Sequence, residues 1–186
     1  MNPRTPSQVA ARARLTSLSA GWRGLTGTQQ AGWIAFGQSF TVVNSLGTAI
    51  KLTGLQCYVK VNTVLGLIGS SLVTTPPALP TFGVVSVTGV TAVEATPLIA
   101  VQGANPAAGT DNMVFASPQL SAGLNFNGNY RYLQLANTFT AGAVSLQTAY
   151  AAKFGALIVG KKIFVKVVQA QNGMQDNGTV FTCLVS

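Results

Sequence analysis

The amino-acid sequence predicts an α+β fold: a short N-terminal region of about three helices, then an antiparallel β-sandwich with one inserted helix. Apolar residues repeat with helical spacing before residue 75 and form short strand-like runs after residue 80. Between these regions, three prolines in five residues favour an extended connector. We therefore predict a basic helical docking region over 1–75, a Pro-rich connector over 76–80 and a sandwich over 81–186.

The three helices are predicted from a repeated capping pattern and from the apolar residues that follow it. A threonine precedes a glutamine by three residues at Thr5–Gln8, Thr26–Gln29 and Thr53–Gln56, so each side chain can bind the other residue's backbone N–H. Gly66 and Gly69 are expected to end the third helix, and Asn44 to Gly47 predicts a turn. Apolar residues recur at three- and four-residue steps in each helix: Leu15, Leu18, Trp22 and Leu25; Trp33 and Phe36; Leu55, Tyr58, Val59 and Leu65, this last face interrupted by Asn62.

The sandwich is predicted from short apolar runs that turn residues separate. Turn signals such as Asn172-Gly173 and Asn177-Gly178 stand between the later runs. The segment 146–155 has helical spacing instead and finishes at Gly155, which predicts a helix inserted between two strands. The strand-like runs lie at 84–93, 98–101, 113–115, 130–135, 163–168 and 180–185.

The composition favours a subunit of an assembly. Hydrophobic residues make up 48% of the chain, but charged residues make up only 8%, against about 25% in ordinary soluble proteins. A monomer needs a charged surface to stay soluble, whereas a subunit covered by its neighbours needs less charge. A soluble protein that relies on neutral polar side chains remains an alternative. The chain has neither a membrane-spanning pattern nor a secretory signal, so we expect no membrane partner and synthesis in the cytoplasm.

The positive charge is concentrated in the N-terminal half. Residues 1–75 contain six basic residues and no acidic residue. This asymmetry indicates an anionic partner, which could be an acidic subunit or nucleic acid. The basic residues are dispersed rather than packed into one run, so nucleic-acid contact is expected to be weak. The candidate contacts for an anionic partner are Arg4, Arg12, Arg14 and Arg23.

Few residue types suited to catalysis are present, so we expect a non-enzymatic protein with no metal, no cofactor and no small-molecule substrate. The chain has no histidine, which excludes imidazole bases, and a carboxylate pair would need two of its only three acidic residues. Asp111 and Asp176 stand at turn signals, where aspartate commonly caps a turn, and Glu94 stands alone among strand formers. Cys57 and Cys183 lie far apart in apolar segments and are interpreted as buried free thiols.

The aromatic residues allow two interpretations. Trp22 and Trp33 could anchor a partner or could hold the helices together. Tyr130-Arg131-Tyr132 has the interleaving of some single-strand binders, but alternation along a strand favours core tyrosines beside an exposed arginine. The candidate interface residues are Trp22, Trp33, Leu18, Phe36 and Tyr58.

The order of these motifs resembles a family of small phage and prophage proteins. The resemblance rests on Trp22-Arg23-Gly24-Leu25-Thr26, Leu52-Thr53-Gly54, the segment Tyr150 to Gly155 and the segment Gly160 to Val167. Further matching residues are Asn2, Pro3, Gln8, Leu18, Gln29, Trp33, Leu46, Gly47, Tyr58 and Asn62. The resemblance implies a virion-associated structural protein whose sandwich is similar to fibronectin type III or immunoglobulin domains. It implies no catalytic residues.

Three functions follow as hypotheses. The first is a non-catalytic structural component of a phage particle, such as a decoration, minor capsid, neck or tail protein. It would be located in the virion and assemble in multiple copies with itself and with other virion subunits through apolar interfaces. The second is a capsid shell subunit whose basic half faces nucleic acid. The third is a host-binding adhesin module that uses the sandwich loops.

Overall fold

The protein is α+β, as the sequence predicts: N-terminal helices precede a β-sandwich built from antiparallel sheets. This computed structural model describes residues 5–43, 46–95 and 98–186. The chain forms two compact units. The helical unit comprises Met1–Leu79 with Asn172–Met174, and the β unit comprises Pro80–Gln171 with Gln175–Ser186.

The described part of the helical unit contains three helices and a small hairpin. Helix α1 spans Pro6–Arg23, α2 spans Gly27–Gln38 and α3 spans Gly54–Leu67. Strands β1 (Thr41–Val43) and β2 (Ala49–Lys51) pair antiparallel between α2 and α3, which the sequence did not predict. The predicted turn at 44–47 falls partly on residues 44 and 45, which lie outside the described residues.

All three predicted capping boxes are confirmed. The Thr26 N–H donates to Gln29 Oε1 at 2.9 Å, and the Gln29 N–H donates to Thr26 Oγ1 at 3.3 Å. The boxes of α1 and α3 have the same two bonds, at 3.2 and 3.4 Å and at 2.8 and 3.3 Å. At the other end of α3, Gly69 has a φ of +76° and the Ser70 N–H binds Leu65 O at 2.9 Å. Gly69 therefore ends the helix, whereas Gly66 lies inside it.

Helices α2 and α3 approach each other closely at glycines. A β-carbon on Gly37 would lie 2.4 Å from the backbone oxygen of Leu52, just before α3. A β-carbon on Gly54 would lie 2.8 Å from Ile34 Cγ1 and 2.9 Å from the Ile34 backbone nitrogen. Backbone atoms cannot move aside as a flexible side chain can, so these two positions require glycine for packing.

We expect Gly37→Ala to lower the free energy of unfolding of the helical unit by about 1–3 kcal/mol, because its methyl group overlaps the Leu52 carbonyl. Gly66→Ala is the matched control, since nothing lies within 4 Å of its β-carbon position. Alanine at position 66 should stabilise α3 by about 0.5–1 kcal/mol. Denaturant unfolding followed by tryptophan fluorescence measures the helical unit alone, because both tryptophans lie in it. Equal effects of the two substitutions would contradict the close approach.

Among the described residues, nine strands and one helix follow the connector. The strands are β3 (Val87–Val93), β4 (Leu98–Gly103), β5 (Asp111–Ala116), β6 (Leu120–Ser121), β7 (Arg131–Leu135), β8 (Ala143–Ser145), β9 (Lys161–Gln171), β10 (Met174–Gln175) and β11 (Thr179–Leu184). All of them belong to the β unit except Met174 of β10. One sheet has the order β10-β9-β5-β7, with β11 and β6 also paired to β9, and the other has the order β3-β4-β8. The inserted helix α4 spans Gln147–Phe154 and ends at Gly155, whose φ is +85°, as predicted.

The core of the β unit joins both sheets and α4. Tyr150 of α4 is fully buried, and its hydroxyl donates to Ser117 O at 3.1 Å. The Ser117 hydroxyl in turn accepts the Phe164 N–H at 3.0 Å. A short chain of neutral hydrogen bonds thus fixes the inserted helix to the end of β5 and to β9. The apolar side chains around it include Ile99, Val101, Val114, Leu133, Leu146, Ile163, Val165 and Val167.

Both cysteines are free thiols, as predicted, although Cys183 is only half-buried. Burial raises the pKa of Cys183 to about 11, and burial also raises the pKa of Cys57. The folded β unit therefore favours the neutral Cys183 thiol, whereas an unfolded thiol ionises near pH 8.5.

We expect the free energy of unfolding of the β unit to fall as the pH rises from about 8.5 towards 11. The stabilisation from Cys183 is complete below the unfolded pKa and is lost as the pH approaches the folded pKa. Urea unfolding followed by the methyl NMR signals of Ile163 and Val165, which lie in the core of the β unit, measures this slope at several pH values. Cys183→Ala should make the slope shallower, and an unchanged slope would show that the thiol does not contribute.

Candidate interaction surface of the helical unit

The aromatic residues of the helical unit form one internal cluster. The ring centroids of Trp33 and Tyr58 lie 5.5 Å apart in an edge-to-face arrangement, and those of Trp22 and Tyr58 lie 5.8 Å apart. The ring centroid of Phe36 lies 5.7 Å from that of Trp33 and 4.9 Å from that of Phe40. These separations are typical of aromatic pairs that stabilise a core.

The burial of this cluster corrects part of the predicted interface. Leu18, Trp33 and Tyr58 are 3%, 0% and 4% exposed, so they stabilise the helical unit and offer no surface to a partner. They are buried because α1 and α2 both pack on α3, which the spacing within each helix could not show. Trp22 and Phe36 keep partial exposure, and for them an interface role stays a prediction.

Asn62, the polar residue on the apolar face of α3, binds the extended segment that follows the helix. Asn62 is 1% exposed. Its Oδ1 accepts the Val73 N–H at 2.8 Å, and its Nδ2 donates to Val73 O and to Tyr58 O, both at 3.1 Å. Next along the chain, Trp33 Nε1 donates to Thr74 O at 2.9 Å. Two side chains therefore hold residues 73–74 against the helices.

We expect Asn62→Leu to lower the free energy of unfolding of the helical unit by about 2–3 kcal/mol, because the Val73 backbone groups lose their partner. Asn62→Asp keeps the shape and the acceptor but loses the donor, and its carboxylate would face two carbonyl oxygens. Burial and these oxygens should raise the pKa of the new carboxyl group above its usual 3.9 or so.

The Asn62→Asp variant should therefore be least stable at pH 7. It should recover as the pH falls from the raised folded pKa to about 3.9, because the protonated carboxyl group can donate. Denaturant unfolding followed by tryptophan fluorescence at pH 7 and pH 3.5 measures the free energy of unfolding of both variants. A Leu variant as stable as the parent, or an Asp variant without pH dependence, would contradict the role of Asn62.

The predicted anionic-partner contacts do not form one stripe. Arg12 and Arg23 are exposed and eleven residues apart, which places them within about 20° of each other around α1. Arg14 is half-buried and lies about 200° from Arg12, on the opposite side of the helix. Arg4 lies outside the described residues. Arg12 and Arg23 therefore share one side, at either end of α1.

A groove between α1 and α3 runs along that side, and sequence reasoning did not identify it. The groove has a volume of about 320 Å³ and is lined mainly by apolar atoms. Leu15 and Leu55 are 54% and 38% exposed, although the sequence placed both on buried faces. The residues that line the groove are Leu15, Ser19, Leu55, Gln56, Val59 and Lys60.

The groove combines an apolar floor with a positive surround. Lys60 lines the groove directly. Arg12 and Arg23 lie within about 20–40° of Ser19 around α1, so they share that side of the helix with the groove. The helical unit contains no aspartate or glutamate anywhere in its sequence. The surface therefore has the chemistry to bind an apolar segment that also carries negative charge.

No known family model, curated protein or solved structure is detectably similar to this chain. Within the described ranges, no group of three histidine, cysteine, aspartate or glutamate residues could hold a metal ion. No helix in that part of the chain has both the length and the apolar character to cross a membrane.

Proposed function

We propose that this protein is a non-catalytic structural subunit of a phage particle, which attaches through the groove between α1 and α3 to an acidic segment of a neighbouring subunit. The observation that carries the proposal is the groove itself, whose apolar floor lies in a unit without acidic side chains. The resemblance of the Trp22 to Thr26 and Tyr150 to Gly155 segments to small phage proteins supports the setting. The low charge of the chain supports an assembled state.

The charge balance decides which kind of partner the groove would take. A second copy of this chain has only three acidic residues, and none of them lies in the helical unit. A different subunit that presents an amphipathic helix with apolar and acidic residues fits the groove better, by helix-in-groove recognition. The shell alternative requires nucleic acid at the same surface, but Arg14 lies on the opposite side of α1 from Arg12 and Arg23.

The position within a particle is also part of the proposal. Attachment by the helical unit would leave the β unit for contacts between copies or for the particle surface. Several large apolar side chains are exposed on the β unit: Val84, Leu98, Leu124, Phe126, Ile158, Val159, Val180 and Leu184.

We expect the tagged chain to copurify in multiple copies with particles from cells that carry its gene. A chain that stays monomeric at high concentration and is absent from such particles would refute the assembly role.

The groove can be tested with a synthetic helix that carries leucine on one face and glutamate on the other. We expect this peptide to bind the full chain with micromolar affinity and to bind less tightly as the salt concentration rises. Leu15→Asp should weaken binding at least tenfold, because it places a negative charge in the apolar floor that repels the glutamates of the peptide. Leu72→Asp is the matched control, since Leu72 is also 54% exposed but does not line the groove.

Fluorescence anisotropy of the labelled peptide measures its affinity for both variants, and two further probes serve for comparison. A helix with lysine in place of glutamate should not bind. An oligothymidylate should bind weakly or not at all, and tight binding of it would favour the shell alternative. Equal binding of the acidic peptide to Leu15→Asp and Leu72→Asp would refute the groove as the attachment site.

A further inference from the structure

The β unit contains two adjoining cavities that lie outside its core. Their volumes are about 420 and 310 Å³, each within the range of about 300–1,000 Å³ that is usual for small-ligand sites. Tyr130 and Gly128 line both cavities and separate them. Arg131 and Phe154 also line the first cavity, and Phe115 also lines the second.

The second cavity lies on the outer face of the larger sheet. Phe115 of β5 pairs in register with Tyr132 of β7 and with Lys166 of β9. Its neighbours Val114 and Ala116 belong to the core, so Phe115 points to the other face of the sheet. The interpretation of Tyr130 and Tyr132 as core tyrosines is therefore wrong: both are half-buried and neither belongs to the core cluster.

Aromatic rings give these cavities apolar walls that a ring-shaped ligand can contact. Phe115 and Tyr132 pack edge-to-face with their centroids 5.5 Å apart. The Arg131 guanidinium lies 5.7 Å from the Phe154 ring centroid, which holds its planar donors beside the first cavity. Tyr130 is half-buried, so its ring is supported and still accessible. These side chains come from β5, β7, α4 and the loop before β7.

The charges of the two cavities differ. Arg131 lines the first cavity. Burial and, as the smaller cause, the nearby Arg131 charge lower the pKa of Lys153. Two cations held together are stabilised by a bound anion. The second cavity contains both Lys166 and Asp176. Asp176 Oδ1 accepts the Gln169 and Gly178 N–H groups at 2.9 and 3.0 Å, which fixes the carboxylate in place.

We propose that these cavities form a binding site for an acidic oligosaccharide. The carboxylate of an acidic sugar would bind Arg131 in the first cavity, since guanidinium and carboxylate form paired hydrogen bonds. The apolar faces of adjoining sugar rings would pack on Tyr130 and Phe154. In the second cavity a neutral sugar would bind, with hydroxyl groups that donate to Asp176 and accept from Lys166. A nucleic-acid strand fits less well, because Asp176 would repel its next phosphate.

The site is separate from the groove of the helical unit and does not depend on the proposed attachment role. Leu15→Asp should leave saccharide binding unchanged, so failure of one proposal is distinguishable from failure of the other. The full chain is titrated by calorimetry with a tetrasaccharide that alternates hexuronate and neutral sugars, with its carboxyl-reduced form, and with oligothymidylate.

We expect the acidic tetrasaccharide to bind and its reduced form to bind at least tenfold more weakly, because the charge-assisted bonds to Arg131 are lost. Arg131→Gln should cause a similar loss. Lys161→Gln is the matched control, since it removes one positive charge from the same unit but Lys161 lines neither cavity. Tyr130→Leu should also weaken binding, and circular dichroism checks that each variant is folded.

Three results would overturn the proposal: no binding of the acidic tetrasaccharide to the folded parent chain, equal binding to Arg131→Gln and Lys161→Gln, or tighter binding of oligothymidylate than of the saccharide. The last result would assign the cavities to single-stranded nucleic acid instead, where aromatic rings stack with bases.

Discussion

The first acidic residue of the chain is Glu94, so the helical unit folds without a single side-chain carboxylate. Neutral groups therefore form the hydrogen bonds to backbone groups that aspartate and glutamate often form in other proteins. Threonine and glutamine cap all three helices of that unit, and Asn62 satisfies both backbone groups of Val73. In the β unit, Ser117 and Tyr150 form the corresponding buried bonds. Buried neutral pairs cost less desolvation than buried ions, which suits an interior of this kind.

The same scarcity of acids determines what the surface can bind. The helical unit has no side-chain carboxylate, and Lys60 lines its apolar groove. In the β unit, Arg131 lies beside Lys153 at one cavity, while Asp176 reaches only the other. Both candidate sites thus combine apolar contact with positive charge, and we propose one for an acidic protein segment and the other for an acidic saccharide.

Local patterns predicted the local parts of this fold. The Thr–Gln spacing gave all three helix starts and Gly155 gave the end of α4, because capping depends on residues only a few positions apart. The β1–β2 hairpin was missed because strands of three residues are too short for a periodic pattern. The bond between Asn62 and Val73 was missed because its partner lies in a segment without periodicity. Tyr132 was misplaced because the outer face of the sheet is also partly covered, so alternation could not identify the core face.

If neutral hydrogen bonds hold the helical unit together, its stability should not depend on carboxylate ionisation. Urea unfolding followed by tryptophan fluorescence at pH 7 and at pH 3 tests this directly, since both tryptophans lie in that unit and its basic residues stay charged at both values. We expect the free energy of unfolding to agree within about 0.5 kcal/mol between the two conditions. A loss of several kcal/mol between pH 5 and pH 3 would contradict the account, because it would require a carboxylate that stabilises the helices.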